Sequence, residues 1–159
     1  MGQKGFKHTN PDVTLEMIDR VRNLPSLAIG FPASKAGGLK YPDGTDVIDV
    51  AVWNNYGTDK IPERPFMDVG GRNAVRQTQD LRKKLIGKIL TEETTPEDAL
   101  DLVGAKAAAI VKKTIQSWAE PPNSPETIAR KKSDHPLVDT GLMTQSITWE
   151  QRKREAKAK

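Results

Sequence analysis

Few side chains in this sequence could carry a reaction. The only histidines are His8 and His135, and there is no cysteine. That excludes a thiol nucleophile, a disulfide framework and any Cys-ligated metal. Neither histidine has further ligands at metal spacing. His135 stands between Asp134 and Pro136 in a polar turn, and an adjacent Asp–His pair is not a triad, because triad partners meet in space. Asp139-Thr140-Gly141 has the residue order of an aspartic-protease loop. That chemistry needs two such loops sharing a proton, and the helical patterns here do not suit the all-β fold it needs. The glycine pairs at 37–38 and 70–71 lack the spacing of a phosphate loop. These readings predict no catalytic residue, no cofactor and no metal.

The most unusual stretch is "NNYGTDKIPERPFM", from Asn54 to Met67. Arg64 lies between Pro62 and Pro65, so its backbone is stiff and its guanidinium can be aimed at little entropic cost. Two roles compete for it: an internal salt bridge or bonds to backbone carbonyls that fix the loop before the helix, or a contact between subunits. Gly57 suits a positive φ after Tyr56.

The elements that must position this stretch follow from periodicity and caps. With 159 residues, 36% hydrophobic, 5% aromatic and 29% charged, the chain fits one domain over residues 1–150 with a modest aliphatic core. Asn10-Pro11-Asp12 predicts a helix over 11–23. "SLAIGF" and "VIDVAVW" predict two strands joined as a hairpin, with a Gly/Lys-rich tip between them. A long helix is expected from Phe66 to Leu90, with Gly70-Gly71 weakening its start so that its regular part begins nearer Arg72. A longer one opens at Thr95-Pro96 and carries Leu100, Val103, Ala107, Val111, Ile115 and Trp118 at spacings of three and four. Ser124-Pro125 caps a short helix, and "GLMTQS" leads into a last strand from Ile147. The expected class is α+β, with a small antiparallel sheet (the hairpin plus the C-terminal strand) packed against two long helices and shorter ones.

Charge is unevenly placed. Residues 151–159 hold five positive side chains, among them Arg152, Lys153 and Arg154, against Glu155. This accounts for the whole net charge of +4, and residues 1–150 sum to zero. The body is therefore not basic, and the end reads as a basic tail. Mean hydropathy is −0.61. No apolar run reaches the roughly 20 residues of a membrane span, and "MGQKGFKHTN" has no apolar core of a secretory signal.

Two segments together resemble the small neck proteins of tailed bacteriophages, described as tail-completion, head–tail joining, virion morphogenesis or minor tail proteins. In the first segment the pattern rests on Tyr56, Gly57, Thr58, Ile61, Pro62, Arg64, Pro65 and Phe66. In the second, "PPNSPETIARKK" and "HPLVDTGLMTQSITWE", it rests on Ser124, Pro125, Thr127, Leu137, Asp139, Thr140, Gly141, Leu142, Ser146 and Ile147. Asn55 departs from the acidic residue common there. The resemblance implies a structural, non-enzymatic virion protein, made in the bacterial host cytoplasm and built into a homo-oligomeric ring at the head–tail junction. Its implied partners are head connector or adaptor proteins and tail terminator or tail-tube proteins. Candidate assembly contacts are Tyr56, Gly57, Thr58, Pro62, Arg64, Pro65 and Phe66, with Lys35 and Lys40 of the Gly/Lys loop and Arg152, Lys153 and Arg154 of the tail. The competing reading is a DNA-binding protein using that loop and tail. Non-specific contact with DNA passing through a ring is compatible with either.

Overall fold

The computed structural model describes Leu15, Glu16, Ile18, Asp19, Arg22 and residues 24–152. These five N-terminal residues are helical, as the pattern over 11–23 requires; the rest of that predicted helix, with its cap, lies outside the described residues. The order of elements is β1 (Ser26–Gly30), α1 (Ala33–Ala36), α2 (Val47–Tyr56), α3 (Phe66–Gln77), α4 (Gln79–Leu90), α5 (Pro96–Gln116), α6 (Pro125–Lys131), α7 (Leu142–Ser146) and β2 (Thr148–Arg152). The fold is α+β.

The helix α5 is the axis of the molecule. Thr95 caps it by accepting a hydrogen bond from the Asp98 backbone N–H at 3.1 Å, and Pro96 occupies its first turn. Val103, Ala107, Val111 and Ile115 of the expected stripe are buried, joined by Ala99, Gly104, Ala108 and Thr114. Small residues let neighbours approach closely. On α3, Gly70 lies so near α5 that a Cβ there would sit 3.2 Å from Val111 Cα. The largest core cluster joins Val47 and Ala51 of α2, Phe66 of α3, Ala108, Val111 and Ile115 of α5, and Met143 and Ile147 around α7. A second, smaller cluster holds Leu85 and Ile89 of α4 against Ala99 and Val103.

The expected hairpin, the single helix from Phe66 to Leu90, the free tip and the place of Arg152 in a tail are all corrected. The stretch from Val47 to Trp53 is helix α2, not a strand, so the hairpin does not exist. The Asp46 carboxylate accepts a hydrogen bond from the Ile48 N–H at 2.8 Å and caps the helix. Val47, Ala51 and Asn55 then fall on one buried face at four-residue spacing. The run is rich in β-branched residues and apolar on both sides as a helix, so no helical period shows in it, and packing decides its structure. Strand β1 pairs instead with β2 across the whole chain, antiparallel, with Ser26 opposite Arg152 and Gly30 opposite Thr148. Arg152 therefore belongs to the sheet rather than to a tail.

The helix expected from Phe66 to Leu90 is also two helices. At Thr78 the buried hydroxyl donates to the Ala74 carbonyl at 2.7 Å. Such back-bonding competes with the helical ladder and bends it, and α4 sets off from the bend. The Gly/Lys segment is not a free tip either. Ala36 of α1 is fully buried, and the turn after it is closed by the Tyr41 N–H donating to the Thr45 carbonyl at 2.8 Å.

A candidate assembly surface around helix α2

Arg64 does not point outward. Only 3% of it is exposed. Its Nε donates to the Pro121 carbonyl at 2.9 Å, one terminal nitrogen to the Pro122 carbonyl at 2.9 Å, and the other to Asn54 Oδ1 at 3.0 Å. Burial lowers the pKa of the guanidinium, yet among the described residues no carboxylate forms an ion pair with it; three oxygen dipoles take the place of a counter-ion. Its own N–H donates to the Asn54 carbonyl at 2.7 Å. Arg64 thus staples the loop after α2 to the proline turn after α5. Its candidacy as an intersubunit contact is corrected: the flanking prolines stiffen an internal joint.

The rest of the stretch is divided the same way. Phe66 is fully buried and is also withdrawn as a contact. Gly57 has φ +75°, and a Cβ there would lie 3.0 Å from the Glu63 nitrogen, so close approach of backbone requires glycine. The Thr58 hydroxyl accepts from the Ile61 N–H at 3.0 Å and from the Lys60 N–H at 3.2 Å. Asn55, the departure from the family pattern, is buried, and its Oδ1 accepts from the Met67 N–H at 3.0 Å. It caps α3 from a neighbouring helix, a task Pro65 has no side chain to perform. Pro65 is half-buried, while Pro62 and Tyr56 are exposed, Tyr56 by 72%.

The second resemblance segment is likewise made of joints. The Ser124 hydroxyl caps α6, accepting from the Thr127 N–H at 3.3 Å. Gly141 takes φ +80° before α7, and Leu137 and Ile147 are buried. His135 is exposed, and its carbonyl, not its ring, is used: it accepts from Lys131 Nζ and Asn123 Nδ2, both at 3.0 Å. Lys131 is half-buried, and its pKa is lowered by that burial, with Asp139 opposing the shift. His8 lies outside the described residues.

What remains exposed is the outer face of α2. Asp49, Val52, Trp53 and Tyr56, spaced i, i+3, i+4 and i+7, all face solvent. Val52 is 46% and Trp53 41% exposed. With Val47 and Ala51 buried opposite, α2 is apolar on both sides. A helix of that kind is normally covered on both. The sequence does not reveal this face, because a helix apolar on both sides shows no helical period. Lys35 and Lys40 are exposed nearby in sequence, and the backbone of Lys40 pairs antiparallel with that of Asp46 in an isolated β-bridge. Arg152 is exposed but engaged by Glu150 of its own strand at 2.6 Å. Lys153 and Arg154 lie outside the described residues.

Among the described residues, no helix is long and apolar enough to cross a membrane. Comparison with protein-family models, with curated proteins and with solved structures finds no match to this chain.

Proposed function

We propose that this chain is a structural virion protein of a tailed bacteriophage, forming a homo-oligomeric ring at the head–tail junction and joining the connector to the tail. The observation that carries the reading is the exposed apolar face of α2. It ends at Tyr56, where the loop with the first resemblance segment begins. Exposed tyrosine and tryptophan are the residue types that anchor protein interfaces. The Arg64 staple and the Asn55 cap hold the base of this face rigidly. A ring needs that rigidity, because every repeated contact must have the same geometry. The neutral charge of residues 1–150 favours protein partners over DNA.

The test is genetic and structural. Deleting the gene from the phage that encodes it should leave DNA-filled heads and finished tails unjoined, and supplying the protein should restore joined particles. Antibody labelling of wild-type virions should mark the neck. Joined, infectious particles without the protein would refute the reading. Salt-dependent DNA binding by the isolated chain, with no defect in joining, would favour the DNA-binding alternative.

A further inference from the structure

Two stretches of this chain have opposite charge. Residues 43–63 hold five acids and one lysine, and residues 72–88 hold six bases and one acid. The first stretch contains α2 and the rigid loop; the second spans α3 and α4. Each presents an apolar centre to solvent. On α2 it is Val52, Trp53 and Tyr56; on α3 and α4 it is Val75, 61% exposed, and Ile86, 39% exposed. Arg82 of α4 donates to the Val75 carbonyl at 2.8 Å, which holds the start of α4 against the end of α3. Arg72, Val75 and Arg76 share one exposed helical face. The two patches have separate supports, since α2 packs on α7 while α3 and α4 pack on α5. Among the described residues, no ion pair takes up Asp49, Asp59 or Glu63 on the acidic side, nor Arg72, Arg76 or Lys83 on the basic side.

We propose that the aromatic face of α2, which carries Asp49 and is flanked in sequence by Asp43, Asp46, Asp59 and Glu63, docks on the basic α3–α4 face of a second copy of this chain, head to tail. The alternative self-contacts place like against like. Two α2 faces together would oppose acid to acid, and two α3–α4 faces base to base, which costs binding free energy. The unlike pair matches an apolar centre to an apolar centre and an acidic rim to a basic one. Such a contact is heterologous: each copy uses one face and leaves the other open for the next. This deepens the ring reading by naming its contact, and it is decided by association in solution rather than by location in a particle.

The experiment uses the full chain and two double variants of exposed residues, checked for unchanged melting. One carries Trp53→Ser and Tyr56→Ser; the other carries Arg72→Glu and Arg76→Glu. Analytical ultracentrifugation should show the wild type associating, with affinity falling about tenfold or more between 50 mM and 500 mM salt, as screened charge pairs require. Each variant alone should be monomeric where the wild type associates. An equimolar mixture should form one-to-one dimers that grow no further, because each partner keeps one intact face. A wild type that stays monomeric throughout would overturn the proposal. So would an arginine variant that still associates fully, or a mixture that does not pair. Association as proposed by a chain that is absent from the phage neck would refute the proposed function and leave this contact standing.

Discussion

Replacing Arg64 with alanine tests the account of the loop most directly. The side chain supplies three hydrogen bonds, to Pro121, Pro122 and Asn54, at 2.9 to 3.0 Å. Hydrogen bonds to charged groups contribute about 1.5–3 kcal/mol each where water cannot replace them. Here the gross total of the three is reduced on two counts. Pro122 and, in part, Asn54 and Pro121 reach solvent, so water can satisfy their oxygens. Removing the guanidinium also removes the cost of burying it. The expected net loss is about 2–4 kcal/mol, which for a domain of this size lowers Tm by very roughly 4–16 °C. Arg64→Lys keeps the charge but replaces a planar fork with a single ammonium, so it should lose about 1–2 kcal/mol. Urea denaturation of the isolated protein, followed by circular dichroism, measures both. The slope should be unchanged and the midpoint lowered. An alanine variant that melts within 1 °C of the wild type would refute the staple and return Arg64 to the surface. Loss of stability before any loss of association is the signature of the internal role.

Gly104→Ala should destabilise by about 1–3 kcal/mol, the usual cost of overpacking, because a Cβ there would occupy the Trp149 ring; thermal melting together with tryptophan fluorescence would report it. Asn55→Ala removes the cap on α3 and should cost about 1–2 kcal/mol, whereas Asn55→Asp should keep the acceptor and lose less; the two melting curves should separate in that order. The Asp101 carboxylate has its pKa lowered below 3.8 by Gln151 and then Trp149, which donate to it. Its stabilising effect is therefore present above the ordinary carboxylate pKa and lost as pH falls through the lowered one. The wild type should lose more stability than Asp101→Asn between pH 5 and pH 2, and equal slopes would refute the role.

The caps and the long apolar stripe were legible in the sequence because they are local. Thr95-Pro96 and Ser124-Pro125 carry the cap oxygen and the first-turn proline next to each other in sequence, and a stripe as long as that of α5 admits one period only. The final strand from Ile147 was local too; the α+β class holds, although the hairpin it was drawn from does not, because its second strand is α2. Tertiary structure decided the partner of β1, because strand pairing across more than a hundred residues leaves no local trace. It also decided α2: Val47–Trp53 is apolar on both sides as a helix and so shows no helical period, and burial of Val47, Ala51 and Asn55 against the core selects the helix. The choice turned Trp53 and Tyr56 into neighbours on one exposed face. Arg64 shows the same division. Its prolines revealed a stiff loop, but its direction depended on where the turn at Pro121 and Pro122 comes to lie, more than fifty residues further along the chain. A guanidinium binds whichever oxygens surround it, and only the folded chain brings these oxygens to it.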